Sequence, residues 1–188
     1  VTVGGLNTFT GQVEVLDGAL AFDTIANADG TSSALGAPTT AAQGAIRLGF
    51  AATTGTLTYT GSGHVTDRQI DLVGGTGGGM IDADGTGALV LNGAITSEDG
   101  GAKSLTLRGS SAGGIINRVA LPITECLGVL TLAKLDANTW QLDAASTYTG
   151  ATVVSAGTLL VTGALGNTAV TVESGATIAG TGALAGAL

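Results

Sequence analysis

From Ser146 to Leu188 the chain reads STYTGATVVSAGTLLVTGALGNTAVTVESGATIAGTGALAGAL, a succession of short β-type runs, each closed by small residues. The runs are Val153-Val154, Leu159-Leu160-Val161, Val170-Thr171-Val172 and Thr177-Ile178. The turns are Ala156-Gly157, Gly163, Gly166-Asn167 and Ser174-Gly175. Branched side chains suit a pleated, buried surface, and Gly and Asn accept the positive backbone angles of tight turns. Gly157 and Gly175 recur eighteen positions apart. That interval is too short for a domain and fits one coil of a solenoid.

The rest of the chain repeats this grammar. Gly-x-Leu or Gly-x-Ile occurs at Gly18-Ala19-Leu20, Gly44-Ala45-Ile46, Gly55-Thr56-Leu57, Gly79-Met80-Ile81, Gly87-Ala88-Leu89, Gly93-Ala94-Ile95 and Gly128-Val129-Leu130. Alternating runs usually follow, as in SLTLRG (104–109) and VLTLAKL (129–135). Alternation turns one face inward and the other to water. The best helical candidate, 39–45, is a short Ala-rich piece with no clear cap. The chain is therefore read as all-β.

Composition separates a solenoid from a sandwich. Glycine reaches 33 of 188 residues, with 44% hydrophobic residues but only 3% aromatic and 2 prolines. Glycine without a three-residue period excludes collagen, and the hydrophobic content excludes disorder. A core built of Val, Leu, Ile and Ala suits a thin interior in which like residues stack from coil to coil. At roughly 20 residues per coil the whole chain, 1–188, is expected to form a single β-helical segment of about nine coils.

Residues 7–22 (NTFTGQVEVLDGALAF) align without a gap to 146–161 (STYTGATVVSAGTLLV), sharing Thr, Thr, Gly, Val, Gly and Leu at matching places. They are read as equivalent positions of a longer unit of 139 residues, the distance from Asn7 to Ser146. Turn-rich stretches near 23–38 and 110–126 are expected to form loops on one side of the rod, where partners would bind.

The phrase carried by Ser146–Gly150, Thr152–Leu159 and Val170–Gly182 resembles the passenger-associated repeat of bacterial autotransporters, an autotransporter-associated β-strand repeat. Residues 7–22, 54–61, 66–74 and 85–96 extend the resemblance over most of the chain. It departs from the family pattern at Asp143-Ala144-Ala145 and in the glycine-free run Lys134–Trp140. The resemblance implies a right-handed, single-stranded parallel β-helix within a large secreted or surface-anchored protein. Such proteins often precede an outer-membrane β-barrel, and their repeats are not catalytic.

Charge and motifs exclude several functions. The net charge of −8, spread singly, gives no basic patch for nucleic acid. No apolar run reaches the ~18 residues of a membrane helix, so no direct membrane insertion is expected. Cys126, the sole cysteine, permits no internal disulfide and is read as a buried small hydrophobe or an idle thiol. His64, with Asp67 or Asp71 as possible orienters, lacks a nucleophile motif and is read as part of a solvated turn. Asp82, Asp84, Thr86 and Gly87 imitate a calcium loop, but its twelfth position is Gly93, not Glu. A weak site there stays open beside an ordinary Asp-Gly turn. Gly79 occupies the aspartate place of a calcium nonapeptide in 74–82, and 100–104 lacks a phosphate loop's context. Glu14, Glu98, Glu125 and Glu173 form no motif of paired carboxylates. Trp140 is either a surface anchor for sugars or packing between coils.

No catalytic, metal or cofactor residues are therefore assigned. The expected function is a non-catalytic stalk or spacer of an autotransporter-like surface protein, extending beyond this stretch. The expected partners are flanking β-helical coils of the same or an identical chain, and a cell-surface or glycan receptor. A self-stacking extracellular fibre and an adhesin or carbohydrate-binding module are the alternatives, and a β-helical polysaccharide lyase or hydrolase ranks below them.

Overall fold

The structure, a computed structural model, describes residues 1–98, 100–111 and 114–187. The described residues wind through eight coils. Coil 1 holds β1 (Thr2–Val3) and β2 (Val13–Val15), and coil 2 holds β3 (Gly18–Phe22), α1 (Ala41–Gly44) and β4 (Ile46–Leu48). Coil 3 is β5 (Thr54–Tyr59), β6 (Ser62–Thr66) and β7 (Ile70–Leu72). Coil 4 is β8 (Gly77–Ala83), β9 (Gly87–Leu91) and β10 (Ile95–Ser97). Coil 5 is β11 (Lys103–Arg108), β12 (Ile116–Val119) and β13 (Ile123–Glu125), and coil 6 is β14 (Leu130–Lys134) and β15 (Thr139–Leu142). Coil 7 is β16 (Thr152–Val154), β17 (Thr158–Val161) and β18 (Ala164–Leu165). Coil 8 is β19 (Val170–Val172), β20 (Thr177–Ala179) and β21 (Ala183–Leu184).

Three parallel sheets form the faces. The first runs β1-β3-β5-β8-β11-β14-β16-β19, the second β6-β9-β12-β15-β17-β20 and the third β2-β4-β7-β10-β13. On the third face the later coils continue through the bridge Ala145↔Ala164 and the pair β18-β21. This is a parallel β-helix, as the alternation and the like-residue pattern require.

Register turns the repeated residues into ladders. On the third face Val13, Ile46, Ile70, Ile95 and Ile123 stack in line, each at most 8% exposed. On the first face the line is Leu20, Leu57, Ile81, Leu107, Lys134, Val154 and Val172. Each buried aliphatic contributes about 1.5–3 kcal/mol, so stability is spread along the rod. In the seven phrases from Gly18-Ala19-Leu20 to Gly128-Val129-Leu130 the Leu or Ile is buried, except Leu20 of coil 2, which is partly buried.

The same line measures the coils. Leu57 to Ile81 takes 24 residues, Ile81 to Leu107 26, and Leu107 to Lys134 27. Lys134 to Val154 takes 20 and Val154 to Val172 only 18. Leu20 to Leu57 takes 37, because residues 23–45 leave the path. These longer coils account for eight turns where a uniform length of about 20 gives nine.

Glycine permits the corners. Gly101 has φ +100°, and a Cβ built there would lie 1.7 Å from the Gly75 carbonyl oxygen of the coil below. At Gly128, φ +87°, a Cβ would lie 2.1 Å from Gly101 O, so the corner is a stack of bare backbone.

Residues 7–22 and 146–161 both fold as strand, tight turn and strand, with Gly18 at φ +78° and Gly157 at φ +65°. They sit on different faces: β2 and β3 lie on the third and first, β16 and β17 on the first and second. The shared phrase encodes a corner, and the chain uses it at two different corners. The stretch 23–38 stands outside the strands. The stretch 110–126 contains β12 and β13, while its residues 112 and 113 lie outside the described ones. The Ala-rich piece forms one helical turn, and Thr40 caps it by accepting the Gln43 N–H.

Candidate functional site

The repeat phrase forms a polar seam from the end of coil 6 to β16 of coil 7, buried at Ser146, Tyr148 and Thr152 and joined by the buried Thr168. The Ser146 hydroxyl accepts the Ile123 N–H at 3.2 Å, tying the phrase to β13. Tyr148 is fully buried, with its hydroxyl 2.7 Å from that of Thr152, and burial pushes its phenol up to about 12. Thr149 donates to Glu125 Oε1 at 2.6 Å. The Thr168 hydroxyl, 1% exposed, bonds the Gly150 carbonyl. The Ser146, Tyr148 and Thr168 bonds satisfy polar groups that the narrow core would otherwise leave unpaired, while Thr149 and Glu125 pair at the surface. In the earlier copy Phe9 replaces Tyr148 and is 47% exposed, resting on Gly36.

The residues singled out for chemistry are dispersed. His64 lies in β6, half-buried rather than in a solvated turn, with Nδ1 2.7 Å from the Tyr59 hydroxyl. Asp67 accepts the Ala28 N–H, and Asp71 accepts from Gln69 and Thr96, so neither orients His64. Asp84 accepts the Ser110 N–H and hydroxyl, both at 2.7 Å, tying one coil to the next. Asp82 lies 3.7 Å from Arg108; burial and Asp84 push its carboxyl above the usual range. Among the described residues no group of three or more His, Cys, Asp or Glu is placed to hold a metal ion.

Lys103, 3% exposed, lies in β11 and donates to Gly100 O. Glu14 pairs with Arg47 and Glu125 with Thr149, far from any shared centre. Cys126 is exposed, because it follows β13 at a corner where side chains leave the core. Trp140 is fully buried and donates its indole N–H to Arg108 O at 3.1 Å, so the packing reading holds and the surface-anchor reading falls. Its neighbours in the ladder, Leu159 and Ile178, continue that stack.

Two cations escaped the sequence reading. Arg68, 1% exposed, donates to Gly44 O (2.6 Å) and Leu35 O (2.7 Å), pinning the excursion 23–45 to the rod. Burial lowers its guanidinium to about 10. Lys134 stands in the apolar ladder, fully buried, with Nζ 2.6, 2.8 and 3.2 Å from the carbonyls of Leu135, Asp136 and Ala156. Burial lowers its ammonium to about 8. The glycine missing from 134–140 is replaced at the corner by Asp136 at φ +57°. A charged residue inside an apolar alternation gave no sequence signal of these roles.

At the last coil the ladders reach the surface. Val170, Thr171, Val172, Ala176, Thr177 and Ile178 line a groove of about 620 Å³. Val172, Ala176 and Ile178 are only partly buried there, although their ladder predecessors Val154 and Leu159 are fully buried.

Stacked ladders, glycine corners and a buried Ser-Thr-Tyr-Thr-Gly seam define a parallel β-helical solenoid built from repeated coils. Residues 132–161, which include that seam, match the passenger-associated-transport-repeat family. The chain carries the passenger repeat of autotransporters. Over 141 residues it is 33% identical to the adhesin BmaC autotransporter of Brucella suis biovar 1 (strain 1330), an alignment covering 73% of this chain. The chain spans 4% of that relative's length. No solved structure matches the chain. The matched stretch is thus a repeat of the passenger-associated type.

Proposed function

We propose that this chain is a non-catalytic stalk or spacer within a long β-helical passenger, held at the outer membrane by a part of the parent protein beyond this stretch. The observation that carries the reading is the continuity of the ladders. Apart from Lys134, the ladder Leu57, Ile81, Leu107, Val154 is apolar, as is Trp140–Leu159, and both remain apolar in coil 8, where Val172 and Ile178 are partly uncovered. An uncovered apolar ladder beside an unpaired strand edge favours a further coil as its partner. Stiffness follows, because each added coil repeats the same hydrogen bonds and burial. A receptor on a cell surface would meet the corners and turns, since the sheets are paired above and below; the relative named an adhesin supports such contact.

Small-angle scattering on this segment and on versions lengthened by neighbouring coils tests the spacer role. The rod is expected to lengthen by about 4.8 Å per coil at constant cross-section. A growing cross-section, or turnover of acidic polysaccharides by the purified segment, would refute it.

A further inference from the structure

The corner between the third and first faces holds a lateral groove that the stalk reading does not use. It has a volume of about 440 Å³ and spans coils 1 to 3, with Leu16 and Phe50 on its walls and Gly74 and Gly75 among its lining. Glu14 and Arg47 stand at its side, joined at 2.6 Å, each still more than a third exposed. This volume falls within the usual range for small-ligand sites, about 300–1,000 Å³.

Phe50 is the unusual member. Phe22, Tyr59, Trp140 and Tyr148 are all buried and Phe9, 47% exposed, rests on Gly36, whereas Phe50 is 62% exposed, the most of the six aromatics. Its turn is held firmly. Phe50 N–H donates to the Thr53 hydroxyl at 3.1 Å, and Thr53 N–H donates to Phe50 O at 2.8 Å. The same hydroxyl lies within bonding distance of Leu16 O, which fixes the opposite wall. The next residue, Ala51, has φ +50°, a conformation that costs a non-glycine residue free energy. A chain poor in aromatics thus places one, on a strained and stapled turn, out in solvent beside a polar pair.

We propose that this groove binds a neutral sugar ring. The phenyl face offers a platform for the apolar C–H face of a pyranose. Glu14 accepts from ring hydroxyls while Arg47 donates to them, and the glycine stretch leaves room for the ring to approach backbone. Glu14 and Arg47 neutralise each other, and the chain's net charge is −8, so an anionic ligand gains nothing here. A ligand of one or two rings fits the volume.

Saturation-transfer NMR and titration of the 188-residue chain with glucose, galactose, mannose, N-acetylglucosamine and their disaccharides, beside glucuronic acid, test the assignment. At least one neutral sugar is expected to bind with a Kd on the order of millimolar, as suits a shallow site with few contacts. Phe50→Ala is expected to weaken it about tenfold or more, Glu14→Gln several-fold, and Phe50→Trp to strengthen it, all with unchanged melting. Absence of binding by every neutral sugar overturns the proposal. So does binding that survives Phe50→Ala, or glucuronic acid binding as tightly as the best neutral sugar. The assay is independent of rod length, so the spacer reading can fail without it, and the reverse.

Discussion

Coils 2 and 3 differ from coils 6 and 7 in nearly every dimension, yet both solve the same problem with a buried cation. The early pair accommodates the excursion 23–45 and needs 37 residues from ladder to ladder, while the late pair needs 20. In the early pair, irregular backbone leaves the carbonyls of Leu35 and Gly44 without strand partners, and Arg68 supplies the donors. In the late pair a corner without glycine leaves Leu135 and Asp136, the corner stacked on it leaves Ala156, and Lys134 supplies the donors. A solenoid satisfies its backbone by stacking, so each departure from regular stacking needs a donor brought from elsewhere. The cations differ in reach: Arg68 joins a long insertion to the body, whereas Lys134 closes one corner.

Trp140→Ala is expected to have the largest effect, because it removes the bulkiest member of the late ladder and leaves a cavity. A loss of about 3–5 kcal/mol by denaturant titration is anticipated. Arg68→Ala should cost about 3 kcal/mol and expose residues 23–45 to limited proteolysis while coils 6 and 7 stay protected. Cleavage within coils 6 and 7 in that variant would break the comparison.

Lys134→Met should cost less, since the replacement side chain fits between Leu107 and Val154 and removes a buried charge. Its distinctive readout is pH. The Lys134 ammonium titrates at about 8 in the folded chain against 10.5 in the unfolded one. Between these values the unfolded state binds more protons, so this residue's contribution to stability rises with pH, complete above 10.5 and absent below 8. The rise should vanish in Lys134→Met and persist in Arg68→Ala. Tyr148→Phe should be mildest, about 1 kcal/mol, from losing the bond to Thr152.

The all-β solenoid and its inward residues were legible because the period of two and the Gly-x-Leu/Ile phrase act locally. Even Trp140 carried a usable signal: it alternates with Leu142 in Thr139–Leu142, and both are buried. The corner position of Cys126 and the participation of His64 in β6 were less legible, since each depends on where a turn ends. Arg68 and Lys134 were not legible at all. Their partners are carbonyls freed by irregular backbone, 24 and 33 residues away for Arg68 and up to 22 for Lys134. The groove at Phe50 likewise assembles from three coils, and no single stretch of sequence holds it.

The central proposal is that the partly uncovered ladder of coil 8 can be covered by a further stacked coil. Amide hydrogen exchange measures this directly, on the 188-residue chain and on one lengthened by a further coil of the same repeat pattern. In the shorter chain Val170, Val172 and Ile178 should exchange faster than Val154 and Leu159, and in the longer chain they should slow to match them. Equal protection of coil 8 in both chains would contradict the account.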